Sequence, residues 1–303
     1  MYSQTHSISQ NWKSYLRSKA SDYSQLVKLR LNLTVVFSAA FGFLMAGEGY
    51  VDWMGLLILS VAGFLVTSSA NAINQLLEKD YDRLMKRTEN RPLPTGRMEV
   101  SEAVLIAGVT GIVGMLMLWY FFNSMTALLG ALSLISYAFI YTPMKRYSPI
   151  SVFVGAIPGA LPVMIGWVAI TGSEGIGIPL LSLFAIQFLW QFPHFWAIGW
   201  IGYDSYKRAG FKMLPTEEDG RNTFTAFNII LYIVALIFVS VIPYIFGMVG
   251  NIALVTVLIL GLYFLYTGVQ LYRNCDDASA LKVMYGSLLF LPISQIVMVL
   301  NMI

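Results

Sequence analysis

Stretches without a single Asp, Glu, Lys or Arg recur from Leu31 to the end of the chain, at 31–47, 53–77, 103–144, 147–173, 175–203, 222–272 and 283–303. A helix needs roughly 20 apolar residues to cross about 30 Å of hydrocarbon, so each interval holds one crossing and the two longest hold two. Turn residues mark where those two divide. Phe122-Asn123-Ser124 breaks the first, and Phe246-Gly247-Met248-Val249-Gly250-Asn251, just after Pro243, breaks the second, because glycine and asparagine accept the backbone of a tight connection. The pattern predicts nine transmembrane helices near 27–46, 53–77, 101–122, 125–143, 148–171, 177–201, 224–245, 251–271 and 282–302. The expected fold class is an all-α polytopic membrane protein, with an amino-terminal tail over 1–26 and one intramembrane domain over 27–303. Only 12% of the 303 residues are charged, against about a quarter in soluble domains, which excludes a soluble Rossmann or barrel enzyme with a single anchor.

The basic residues test the count independently. All 19 Lys and Arg fall in the amino-terminal segment or in alternate connections, those between helices two and three, four and five, six and seven, and eight and nine. The positive-inside rule then predicts a cytoplasmic amino terminus and an outside carboxyl terminus in an inner (cytoplasmic) membrane. A formal charge of +3 is explained by this arrangement and predicts membrane lipid rather than nucleic acid as the partner. The first residues lack the apolar core and cleavage site of a secretory signal, so the mature chain is expected to start here. Cys275 is the single cysteine, which excludes an intramolecular disulfide and a thiolate metal site. The spacings Gly108-x-x-Gly111-x-x-Gly114 and Gly155-x-x-x-Gly159 predict close helix packing.

The long, basic connections carry the chemistry. Asn74, Glu78 and Asp82 are spaced by four, so a helix lines up one amide and two carboxylates on a face that begins inside the membrane. Basic neighbours alone would be explained by headgroup anchoring. Two carboxylates one turn apart repel, and that favours a hard divalent cation such as Mg²⁺, which takes its remaining ligands from water and phosphate. Arg83, Lys86, Arg87 and Arg91 follow directly and suit diphosphate oxygens. Lys145 and Arg146 fit topology and phosphate binding equally. His194 lies in Trp190-Gln-Phe-Pro-His-Phe-Trp196, where an interfacial aromatic belt with a structural histidine competes with a site for a planar substrate or an iron ligand.

With these motifs in place, the chain resembles the UbiA-type intramembrane prenyltransferases, and within them the haem-farnesylating branch. The resemblance spans nearly all 303 residues and is carried by Asn74-x-x-x-Glu78-x-x-x-Asp82, Leu84-Met-Lys-Arg-Thr-x-Asn-Arg-Pro-Leu-Pro94, Tyr141-Thr-x-x-Lys145-Arg146, Trp190-Gln-x-Pro-His-Phe195 and Asp204-x-Tyr-x-x-Ala-Gly210-x-x-Met213-Leu-Pro215. It implies nine helices in a ring around a lateral, lipid-accessible cavity. The reaction it implies is farnesyl transfer from farnesyl diphosphate to a vinyl group of haem B, with haem a substrate rather than a resident cofactor. By this resemblance Asn74, Glu78 and Asp82 handle Mg²⁺ and are catalytic together with Lys145, Tyr137 and Tyr141. Arg83, Lys86, Arg87, Arg91, Arg146 and Lys207 bind diphosphate, and His194, Trp190 and Asp204 bind haem. Haem A synthase or terminal-oxidase assembly proteins are the protein partners it admits. Glu78 stands where many relatives carry Asp, and His194 and Asp204 lie in the region where quinone-directed relatives carry a second aspartate-rich motif. A quinone-precursor prenyltransferase and a small-molecule transporter are the competing functions. The acceptor that carries the prenyl group separates the first from the main reading, and the absence of any covalent product would mark the second.

Overall fold

The computed structural model describes residues 2–216 and 220–303, with the side chains of 2–11, 13 and 14 outside the description. Among the described residues nine helices are long and apolar enough to cross a membrane. They are Leu29–Ala46, Trp53–Asp82, Val100–Phe121, Ser124–Met144, Ser151–Gly175, Ile178–Ile201, Thr223–Ile245, Asn251–Asn274 and Asp277–Leu300, called here the first to ninth spans. The second span continues past the expected residue 77 to Asp82, carrying the whole Asn74, Glu78 and Asp82 row on one helix. The ninth starts earlier than expected, because Asp276 caps it by accepting from the Ser279 N–H at 2.8 Å. Asn123 likewise accepts from the Thr126 N–H at 2.9 Å, which explains why the chain turns there. The segment expected as a tail is itself a helix, Tyr2–Leu26, held by ion pairs from Arg97 to Asp22 (2.9 Å) and from Lys19 to Glu102 (3.0 Å).

Each span packs on the next, and the ninth returns to touch the first and the sixth. A second crossing, of the first span on the fifth, divides the ring's interior. The buried core follows this division, one cluster centring on Trp200, Phe192, Phe264 and Phe290 and another on Leu59, Leu118, Leu161 and Leu180. A knot of buried amides joins them. Gln187 Nε2 donates to Ser38 Oγ (3.0 Å) and to the Gly159 carbonyl (3.1 Å), while Gln295 Nε2 donates to Gln187 Oε1 at 3.1 Å. With no water in hydrocarbon, unpaired groups here would be costly, so the knot fixes how spans one, five, six and nine meet. Pro162 leaves the Pro158 carbonyl without its helical donor, and Ser133 Oγ supplies one at 3.3 Å.

The first and fifth spans approach until their backbones touch. A Cβ on Gly42 would strike the Val163 carbonyl, and one on Gly166 would strike that of Ala39. Of the glycines expected to allow such contacts, Gly111, Gly114, Gly155 and Gly159 face neighbouring atoms closely, whereas Gly108 faces open space. Gly166→Val should therefore destabilise the protein by about 1–3 kcal/mol, since a backbone cannot move aside as a side chain can. Thermal unfolding in detergent checks this, with Gly63→Ala, whose added Cβ meets nothing within 4 Å, as the control that should not destabilise.

Candidate active site

The second span delivers its polar row to the end of the ring where the basic connections gather, and each member has a separate partner there. Asn74 is fully buried, receiving a hydrogen bond from Lys28 Nζ on Oδ1 (2.6 Å) and donating through Nδ2 to Thr142 Oγ1 (3.0 Å). Glu78 forms an ion pair with Lys145, both side chains being almost enclosed. Asp82, whose side chain is 0% exposed, takes Arg91 on Oδ2 at 2.7 Å. Its Oδ1 is buried and has no hydrogen-bond partner among the described residues. Charges removed from water in this way persist only when matched, and here Lys145 and Arg91 reach the two carboxylates from different connections while Lys28 reaches the neighbouring amide from a third.

Local sequence explains each arrival. Asn71 Nδ2 donates to the Val27 carbonyl, and Gln75 Nε2 to those of Gln25 and Leu26, so the second span grips the turn that carries Lys28. The packed helix ends around Lys28, and then the nearby Arg91 charge, push its ammonium down to about 7. Arg91 precedes a one-turn helix, Pro92–Thr95, whose prolines force the chain back toward the ring. Lys145 follows a π-helical turn, Ser136–Tyr141, in which the Thr142 N–H bonds the Tyr137 carbonyl five residues back. That wider turn places the Tyr137 and Tyr141 rings 5.4 Å apart, with Lys145 Nζ 4.8 Å from the Tyr141 ring centre. The Lys145 carbonyl accepts from the Lys212 N–H at 2.7 Å, tying the loop to the connection after the sixth span.

The other expected diphosphate ligands stand outside this row. Arg83 donates to the Pro94 carbonyl (3.0 Å) and pairs with Asp80, and Lys86 is exposed. Arg146 bonds the Tyr81 hydroxyl and stacks on that ring. Arg87 turns toward the connection after the sixth span, bonding the Tyr206 hydroxyl at 2.8 Å. Lys207 is exposed and lies over the Tyr203 ring, 5.6 Å from its centre.

The expected haem ligands divide. Trp190 and His194 stack with centroids 4.6 Å apart, and both are tied to Ser287 of the ninth span, Trp190 Nε1 to its carbonyl and His194 Nδ1 to its hydroxyl, each at 2.7 Å. Ser287 commits its one hydroxyl proton to the Met284 carbonyl at 2.6 Å. Its oxygen therefore accepts from His194 Nδ1–H, which leaves the Nε2 lone pair of the neutral ring available. Asp204 is not brought to this pair, since its exposed carboxylate meets Arg221 at 3.5 Å.

Sequence reasoning missed Lys28, Thr142 and Ser287. Lys28 had a signal, as one of two basic residues, with Arg30, leading into the first charge-free interval, whereas Thr142 and Ser287 are small polar residues whose partners lie far away in sequence. Among the described residues no three acidic, His or Cys side chains form a metal cluster. Glu78 and Asp82, with an uncommitted buried oxygen on the latter, nevertheless fit a hard cation that draws its other ligands from water and phosphate.

A model of the UbiA prenyltransferase family matches residues 35–292. The chain is 45% identical over 286 residues to the protoheme IX farnesyltransferase of Cytophaga hutchinsonii, covering 94% of this chain and 99% of that protein. It is 35% identical over 299 residues to that of Marinobacter nauticus, covering 98% and 95%. Its fold is similar to a solved structure of digeranylgeranylglyceryl phosphate synthase, with a TM-score of 0.77 at 20% identity over 94% of this chain and 98% of that one. A UbiA homolog from Archaeoglobus fulgidus bound to GPP and Mg²⁺ superposes with a TM-score of 0.62 at 18% identity, covering 91% and 99%. The matched region takes in the carboxylate row, the π-helical turn and His194 together, and the chain belongs to the UbiA prenyltransferase family.

Proposed function

We propose that the chain transfers the farnesyl group of farnesyl diphosphate to a vinyl group of haem B with addition of water, giving haem O and diphosphate. The observation that carries this reading is its full-length identity to protoheme IX farnesyltransferases. The buried carboxylate row with its matched cations supports the diphosphate half of the reaction.

In this reading Glu78 and Asp82 hold Mg²⁺, and Asn74 keeps the Lys28 ammonium beside them. The ion, when bound, supplies charge that stabilises the departing diphosphate. Lys28, Lys145 and Arg91 exchange their carboxylate and amide partners for diphosphate oxygens, with Arg83, Lys86 and Arg146 around the rim. As the bond from the farnesyl carbon to diphosphate oxygen breaks, the Tyr137 and Tyr141 rings face the developing cation. The vinyl π pair forms the new carbon–carbon bond, and water captures the resulting carbocation and loses a proton. His194, oriented by Ser287 and stacked on Trp190, presents Nε2 to the haem. The basic end of the ring is assigned to the cytoplasm, which places the carboxyl terminus outside.

Incubating the purified protein with haem B, farnesyl diphosphate and Mg²⁺ should yield a haem heavier by farnesyl plus water, read by mass spectrometry. Recovery of unchanged haem, with an aromatic acid farnesylated instead, would sink the reading. His194→Ala should weaken haem binding about tenfold while the KM for farnesyl diphosphate stays unchanged, and Ser287→Ala should give part of that loss. Haem affinity equal to the parent's in both variants would make the pair purely structural. The single cysteine, Cys275, sits on the basic side and reports topology. An impermeant thiol reagent should label it in inverted vesicles and spare it in intact cells, and the opposite pattern would reverse the assignment.

A further inference from the structure

One turn beyond His194 on the sixth span, the ring opens into a cleft of about 300 Å³ between the sixth span, the ninth span and the connection after the second. Its walls are apolar, formed chiefly by Met85, Ile198, Ile201 and Met284, and its single charge is Arg87. Met284 lies one turn from Ser287 on the ninth span and Ile198 one turn from His194 on the sixth, so the cleft sits one helical turn from the Trp190, His194 and Ser287 cluster, toward the basic end. Arg87 bonds the Tyr206 hydroxyl through one terminal nitrogen and stacks 5.3 Å from that ring's centre. Its other guanidinium nitrogens have no hydrogen-bond partner among the described residues, and no acidic residue lines the cleft. An arginine held against an aromatic ring at an apolar opening, with donors to spare, suits a carboxylate on a flat apolar molecule.

We infer that this cleft receives the acid-bearing edge of the porphyrin acceptor, with Arg87 pairing with a propionate while His194 faces the macrocycle. The inference rests on haem being the acceptor, as proposed above. It moves Arg87 from the diphosphate set to the acceptor set. Spacing supports the move: from His194 to Ile201 the helix rises about 10 Å, comparable to the distance from a porphyrin's centre to its propionates. Separation of the two substrates is also visible. The Tyr81, Phe211 and Tyr206 rings stand in succession, with centroids 5.9 and 6.3 Å apart, between the Arg146 and Arg87 guanidinium groups stacked on its two ends. A ring series of this kind keeps the phosphate-binding cations from competing for the carboxylate.

The test is a haem titration of the full chain in detergent, followed by the Soret band, using haem B and its dimethyl ester, which has no propionate charge. The parent should bind haem B about tenfold more tightly than the ester, and Arg87→Gln should abolish the preference by weakening haem B alone. Ile198→Trp, which fills the cleft without altering a charge, should weaken both ligands. Equal binding of haem and ester by the parent, a preference retained in Arg87→Gln, or unchanged binding in Ile198→Trp would overturn the assignment and leave the haem reading standing. A parent that binds neither ligand would overturn both.

Discussion

Two carboxylates enclosed at the edge of a membrane constrain this protein more than any other feature. Asp82 and Glu78 have lost most of their contact with water, and the cost of that loss is offset only if cations are brought to them. The chain meets the requirement with Lys145 and Arg91 from two separate connections and brings Lys28 to the neighbouring Asn74 from a third, so the site forms only when the ring has closed. Lys28 depends on the grip of Asn71 and Gln75, Lys145 on the π-helical turn, and Arg91 on the proline-directed return. The ion pairs that hold the structure together are thus also the groups that a diphosphate and its metal would claim. In the proposed reaction their exchange would link stability to binding.

A different physical problem is solved deeper in the ring. Amide side chains of the sixth and ninth spans are expensive in hydrocarbon unless paired, and the knot of Gln187, Gln295 and Ser38 pairs them with one another and with the fifth span's backbone. Close backbone contact at Gly42 and Gly166 makes that geometry possible. The knot sits two turns from His194 on the same helix, so the rigidity it gives the sixth span passes to the His194 ring. Ser287 finishes the arrangement by fixing which imidazole nitrogen carries the proton.

Much of this was legible in the sequence, for physical reasons. Crossing hydrocarbon demands long uncharged stretches, so the nine spans can be read from composition, and Asn123 marks a turn because its side chain caps the following helix. The four-residue spacing of Asn74, Glu78 and Asp82 is likewise a local property. Pairing is not. Nothing in the spacing of Arg87 and Arg91 says that the first turns to Tyr206 and the second to Asp82, because that choice is made by the return of the chain at Pro92. Asp204 lies apart from His194 and pairs with Arg221 for the same reason: proximity in sequence ends where the sixth span does. The amino-terminal segment looked like a tail because its polar composition hides that its charges are matched to Glu102 and Arg97.

The carboxylates at the end of the second span are proposed to bind diphosphate through a metal ion. Calorimetric titration with farnesyl thiodiphosphate, an analogue that leaves slowly, tests it without requiring turnover. The parent should bind the analogue tightly with Mg²⁺ and weakly without it, and Asp82→Asn should bind weakly in both conditions. Equal affinity with and without Mg²⁺ in the parent, or a full Mg²⁺ response in Asp82→Asn, would contradict the account.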